Sequence, residues 1–587
     1  MTPRSLFLAA ALLAAVASLP SEAASPRAKR AASPTTAYSP GATLASLRFP
    51  GTPAFVAVAK DVIAQRFAID PSGAANNGLF DDGARIPSFA PDTVAARIAR
   101  LDRDLEALRA MPWRSWPVDR QVDWRWIVAN AEEARLQLAD ERLFLHRPVA
   151  WLEPLANTFI ALITYAPERA DIRLKLARGI PAMVVEMRTV VQQPTARDVT
   201  TAKGVADGIL AVLRSDPPSP VRDAAIGALT SYVNEAAALT GLRDYEVIGR
   251  EHYEKRLRSA LLLPWNGDQL LARANAELAR TDSAMGAIKA RISPNAEIPP
   301  APVPTEAQRA LASTLDQQRL LAIYDDITRT QREFLDTHDL VTVPASVGPI
   351  HARPTPAGMI PLTGDGGSMN PPPPVGRSNV GWWNVEHMDT SWTLERKAGR
   401  IAVAQGFRET GMGPYAAHEG VPGHHLQLSI CRLNPNPIRW ILQDNCLVEG
   451  WALYAEEVFW AAGGHGDSPL AQYRMLGSYR GRIRRVVYDV NIERGEWTLQ
   501  QAADWKRGTE PGKSRVDEDV MRSIHWPAQL IAYFTGKSQL MDLRRDYQRK
   551  MGAAYSERAF HDAVLAEGSI PVALIRAKLL GEPVPAP

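Results

Sequence analysis

The sequence predicts a mainly α-helical protein: a large helical body, with a small β-sheet and long loops set beside two helices that carry a metal site. Three observations predict it. Apolar residues recur at helical spacing from about residue 46 to about 340, and again from about 395 to the C-terminus. Between those stretches the composition turns to Gly, Pro and Ser around two short β-rich runs. Directly afterwards His418, His424 and His425 place three of the eleven histidines within eight residues.

The N-terminus reads as a secretory signal over residues 1–24. Arg4 supplies the positive end, Leu6 to Ala17 is an unbroken apolar run, and Ser21-Glu22-Ala23 offers small residues for cleavage. That run is shorter than the roughly 18 apolar residues of a membrane span, and no later stretch reaches that length. No cysteine follows the signal to carry a lipid. The expectation is a periplasmic or secreted protein with no integral membrane segment once the signal is removed.

Residues 25–45, rich in Ser, Pro, Thr and Ala, read as a disordered linker, and residues 46–587 as a single large domain. Within it, Val94, Ile98, Leu101, Leu105 and Leu108 mark an amphipathic helix with Asp92-Thr93 as its cap. Helical patterns recur near 120–145, 200–240, 268–292 and 305–337, separated by breaks such as Asp216-Pro217-Pro218. Leu340 to Pro344 and Gly381 to Val385 read as short strands, and the helical pattern resumes near 395. Hydrophobic residues form 46% of the chain and charged residues 22%, an ordinary globular balance. A net charge of +3 over 587 residues gives no reason to expect a nucleic-acid partner. The sequence sets no oligomeric state.

Imidazoles bind zinc well, and a carboxylate beside the metal can take a proton from water, so His418-Glu419 invites a metal reading. The familiar helical motif sets its histidines four apart on one face. Here His424 is six residues after His418 and His425 seven, about 9 and 10.5 Å along a straight helix, too far to share one ion. The intervening Gly420-Val421-Pro422-Gly423 holds the residues that break a helix. If that segment loops out, His424 returns beside His418, and a straight helix would rule the pair out. Downstream, Glu449 and Glu456 are seven apart on one helical face. Glu449 suits a third ligand, and Glu456 an acceptor that orients a liganding histidine. Chain reversal around Asn434-Pro435-Asn436-Pro437 would bring the two helices together, with Cys431 and Cys446 near its closed end, as a disulfide or as two buried thiols.

The motifs His-Glu-x-x-Pro-Gly-His-His-x-Gln at 418–427 and Glu-Gly-Trp-Ala-x-Tyr-x-Glu at 449–456 resemble the bacterial family "domain of unknown function 885". That family is grouped with zinc metallopeptidases of the gluzincin type. The resemblance implies a helical metallopeptidase-like body with one zinc on His418, His424 and Glu449, and Glu419 as general base. Its pattern favours His424 over His425 as second ligand, leaving His425 as the alternative.

Farther along, Arg522, His525, Gln529 and Tyr533 are spaced to form one polar stripe on a helix, with Pro527 either interrupting it or starting its first turn. Such a stripe is a solvent-facing surface or a wall of the active site. In the second case Arg522, His525 and Gln529 touch substrate and Tyr533 donates to an oxyanion. A similar Arg…Pro-x-Gln…Tyr-x-x-Gly segment recurs in the family. Glu493 stands where family members often carry histidine. Arg480, Arg482, Arg484 and Arg485 form a basic cluster, either a solvated face or a clamp for a substrate carboxylate. These readings converge on an exported zinc peptidase acting on peptide substrates. The alternatives are a metal-dependent hydrolase of a non-peptide amide or ester, and a non-catalytic protein that binds peptides or a partner.

Overall fold

The computed structural model describes residues 41–299, 301–356, 359–360, 364–389 and 391–587. The signal segment and most of the linker lie outside the described residues. The last five linker residues do not: Leu44 is buried, and its backbone N–H donates to Asp82 Oδ2 at 2.6 Å. Packing therefore begins a few residues earlier than the composition suggested, because Leu44 finds an apolar pocket.

The chain is mainly helical with one small sheet. The amphipathic pattern at 94–108 folds as Pro91–Ala110, burying Val94, Leu101, Leu105 and Leu108. Asp92-Thr93 is not its cap. Pro91 occupies the first turn, where a missing N–H costs nothing, so the helix starts earlier and Asp92 sits inside that turn. The later patterns fold as Val118–Arg135, Ala196–Ser215, Pro220–Ala237, Gly267–Ile292, Glu306–Ala312 and Gln317–Thr337.

The expected strand at 340–344 is a loop. Its β-branched residues serve burial of Val341 in the main core, while Thr342 gives its N–H and hydroxyl to Asp562 and pairs with no strand. The sheet comprises β1 (Ile350–Pro354), β2 (Ser368–Asn370) and β3 (Gly381–Val385) in the order β1-β3-β2. β3 runs parallel to β1 and antiparallel to β2, with Ser368 opposite Asn384. Trp383 on β3 is fully buried, edge-on to Tyr324 at 5.1 Å and tilted against Tyr415 at 5.3 Å. Tyr415 lies on the helix that carries His418, so this contact fixes the sheet against the site.

The main apolar core joins the two ends of the sequence, with Phe55, Trp124 and Trp151 in one cluster with Trp451, Leu540 and Ile575. Trp126 Nε1 donates to the Leu442 carbonyl at 3.3 Å. Buried Arg439 reaches Asp123 at 2.6 Å and Glu567 at 2.8 Å. These bonds hold the connection between the two site helices. Among the described residues no helix is long and apolar enough to cross a membrane.

Candidate metal centre and cavity

The helix Met412–Glu419 ends at Gly420, whose ψ of −121° leaves the helical range, and a new helix, His424–Cys431, starts after Gly423 at ψ −135°. The Val421-Pro422 peptide between them is cis. The segment thus loops out as the spacing required. Gly423 N donates to the Ala417 carbonyl at 3.0 Å, folding the chain back on the end of its own helix. A Cβ on Gly423 would stand 2.6 Å from the His418 carbonyl carbon and nearer still to two carbonyl oxygens, so only glycine fits. Trp451 Nε1 pins the loop by donating to the Pro422 carbonyl at 2.9 Å.

The loop brings the rings of His418 and His424 to 4.6 Å between centroids, edge to face. Glu449 Oε2 lies 3.5 Å from His418 Nε2 and 3.3 Å from His424 Nε2. These three ligand atoms all lie within 4.8 Å of one another. Glu449 comes from the helix Asn445–Ala461, which packs against Ala532–Met551 where Gly450 faces Gly536. A Cβ on Gly450 would meet Lys537 N at 2.7 Å. Two glycines thus let the helices approach closely enough for Glu449 and Tyr533 to share one cavity.

The outer atoms are arranged to suit an ion. His418 Nδ1–H donates to Glu456 Oε1 at 2.9 Å, which turns the Nε2 lone pair inward. Ser478 Oγ steadies the other Glu456 oxygen at 3.0 Å. Glu449 Oε2 is buried and accepts no hydrogen bond, a costly state for a carboxylate oxygen unless a cation faces it. Burial alone would lower the pKa of His418, but Glu449 and Glu456 outweigh it and raise it to about 9. Burial would likewise raise Glu449, yet His418 and His424 hold it well below the usual carboxylate range. Two imidazoles and a carboxylate, one imidazole oriented from behind, match the donor set of a three-ligand site with an open position.

The structure turns His425 away from this cluster. One residue of helix rotates its ring away from the pair, and its Nε2–H donates instead to the Gly348 carbonyl at 2.8 Å. Glu419 is buried on the cavity wall, and burial pushes its pKa up against the pull of His418 and His424. The stripe at 522–533 is not one helix. Glu518–His525 ends at Trp526, a turn follows in which Ala528 takes φ 65°, and Ala532–Met551 carries Tyr533. Pro527 supplies no N–H to continue the first helix. Even so, Arg522, His525, Gln529 and Tyr533 all line the same cavity of about 790 Å³ as His418, Glu419, His424 and Glu449. Gln529 Nε2 donates to Glu449 Oε1 at 3.4 Å, and the Tyr533 ring stacks over His418 at 6.1 Å.

The basic cluster resolves into neither expectation. Arg480 pairs with Asp282, Arg482 donates to Ser478 Oγ, Arg484 to the Lys506 carbonyl, and Arg485 pairs with Asp519. None of the four lines the cavity. Glu493 is fully buried away from it, accepting the Ile248 N–H at 3.1 Å. Cys431 and Cys446 are separate buried thiols, not a disulfide. Sequence reasoning missed Arg147 and Glu153, which line the same cavity. A lone glutamate in the apolar run Val149–Tyr165 was the available signal.

The family model for bacterial proteins of unknown function (DUF885) matches residues 71–579. The chain belongs to that family. Among solved structures it is similar to a candidate lipoprotein of unknown function from Shewanella oneidensis, at 19% identity and TM-score 0.69 over 90% of this chain and 100% of that one. A candidate lipoprotein from Colwellia psychrerythraea is similar at 16% identity and TM-score 0.67, over 90% of this chain and 99% of that one. At such identities the likeness is one of fold. No curated protein matches the chain.

Proposed function

We propose that this DUF885 protein is an exported zinc-dependent hydrolase that cleaves peptide bonds, with Glu419 as general base. One observation carries the reading: His418, His424 and Glu449 set three ligand atoms within 4.8 Å of one another in the cavity that Glu419 and Tyr533 also line. Two histidines and a glutamate are the ligand set of gluzincin peptidases. Zinc suits these donors, and when bound it makes water a nucleophile near neutral pH and polarises a carbonyl.

The chain's own residues supply the rest. Glu419 takes a proton from the attacking water and passes it to the leaving amine. Tyr533 donates a hydrogen bond to the oxyanion. The guanidiniums of Arg482 and Arg485, 5.8 and 4.9 Å from its ring centroid, fix the ring's orientation. Glu456 keeps His418 in its tautomer. The cavity volume lies in the range of small-molecule and short-peptide sites. Export is supported by the signal-like N-terminus and by the lipoprotein description of the structural relatives.

The test is turnover of a panel of peptides and non-peptide amides and esters by the wild type and Glu419→Gln. The variant is expected to lose about 10²–10⁴-fold in peptide turnover, the size of a general-base contribution, while keeping its metal. Full peptide turnover by Glu419→Gln overturns the mechanism. Metal-dependent turnover confined to the non-peptide substrates would move the same site to another bond, and a metal-free protein that binds peptides without turnover would favour the non-catalytic reading.

A further inference from the structure

Two of the four arginines that line the cavity pair with carboxylates within the protein. Arg66 pairs with Glu133 at 3.0 Å, and Arg256 pairs with Glu133 at 3.2 Å and Glu141 at 2.6 Å. Two arginines on the wall do not. Arg147 is 4% exposed, donates Nη2 to the Glu246 carbonyl at 2.8 Å, and leaves Nη1 buried with no hydrogen-bond partner. Arg522 donates one side-chain hydrogen bond among the described residues, from Nη2 to Gln529 Oε1 at 2.8 Å, and its Nε is buried without a partner. Neither forms an ion pair among the described residues.

The two belong to one wall. His525, on the helix that carries Arg522, lines the same cavity as both arginines, and its pKa is pushed down to about 4, first by burial and then by Arg147, Arg197 and Arg522. Arg197 is already paired with Asp244 at 2.8 Å. The fields of Asp198 and Glu493 reach Arg147, but both carboxylates stand beyond ion-pair distance. Burying a guanidinium without a direct ion pair is expensive, and its fork of donors matches a carboxylate. The wall also touches the metal site, because Arg522 bonds Gln529 and Gln529 bonds Glu449.

We propose that Arg522 and Arg147 form a subsite for a substrate carboxylate, the free C-terminus of a peptide, so that the bond presented to the metal centre lies close to the chain's C-terminal end. This rests on the peptidase reading for the bond that is cut, but not for the binding of the carboxylate. The sequence offered the basic cluster at 480–485 for such a clamp. The structure commits those arginines elsewhere and leaves these two without an ion pair among the described residues, each with one buried nitrogen unpartnered.

The experiment is calorimetric binding to the full chain carrying Glu419→Gln, which prevents turnover. The ligands are an N-acetylated tripeptide ending in alanine, its C-terminal amide, and the corresponding amide ending in aspartate. The acid is expected to bind about ten- to a hundredfold tighter than the alanine amide, the worth of a charge-assisted hydrogen bond. Arg522→Met should erase that advantage, Arg522→Lys should restore part of it, and Arg147→Met should reduce it, with unchanged circular dichroism in all three. Tight binding of the aspartate amide would assign the subsite to an acidic side chain in place of the terminus and overturn the placement at the C-terminal end. Equal affinity of acid and amide, or an advantage that survives Arg522→Met, overturns the carboxylate subsite. If the acid binds preferentially but the wild type cleaves none of these peptides, the subsite stands and the peptidase reading falls.

Discussion

Replacing Gly423 with alanine is the sharpest perturbation of the loop that makes the site. The added Cβ would lie 2.6 Å from the His418 carbonyl carbon, and contacts of that kind do not fall below 3.0 Å. The loop must therefore open by at least 0.4 Å, and by more to clear the two carbonyl oxygens. Metal–ligand distances tolerate only about ±0.2 Å, so the opening exceeds what a shared ion can absorb. Displacements approaching 1 Å cost about 100-fold in catalysis, and overpacking against backbone costs about 1–3 kcal/mol in stability. Zinc affinity, measured by competition with a chromogenic chelator, should fall by about 10²-fold in Gly423→Ala, on the same scale as such a displacement. Gly286→Ala is the control, because its Cβ meets nothing within 4 Å. That change should leave metal binding untouched and stabilise the helix by about 0.5–1 kcal/mol. Wild-type zinc affinity in Gly423→Ala would refute the claim that the tight loop sets the His418–His424 pair.

Two other perturbations probe different parts of the account. Glu456→Gln weakens the hold on His418 Nδ1 and should lower metal affinity about 10- to 100-fold in the same competition assay, with the fold intact by circular dichroism. Asp198 is 3% exposed, and burial, opposed by Arg147 and the Val149 N–H, raises its pKa to about 7. The folded state then holds a proton that the unfolded chain releases near pH 4, so stability from this group is full below about pH 4 and is lost as pH rises to about 7. Asp198→Asn keeps an acceptor for Val149 and should match the wild type near pH 4 but exceed it at pH 8, by a margin on the order of 4 kcal/mol in urea unfolding. A stability difference independent of pH would contradict the burial argument.

Much of the site could be read from the sequence because its geometry is local. Histidines six positions apart cannot share an ion on a straight helix, so Gly420 to Gly423 had to loop out, and they do. The seven-residue spacing of Glu449 and Glu456 likewise set one carboxylate toward the ligands and the other behind His418. Adjacency alone did not tell which way His425 faces. Its bond to Gly348 depends on a loop 77 residues away. β1 and β2 escaped notice because they are short, with polar residues and proline, and are held by β3 more than by their own propensity. Leu340 to Pro344 misled because β-branched residues also fill cores from loops. Arg147 and Glu153 reach the cavity from the far end of the sequence, a juxtaposition that no local pattern encodes.

Metal analysis of the mature protein, purified without chelator, tests the central claim most directly. The account predicts one zinc per chain in the wild type and in Glu419→Gln, and none in His424→Ala with the fold retained. A wild-type protein without stoichiometric metal, or a His424→Ala protein that keeps its zinc, would contradict it.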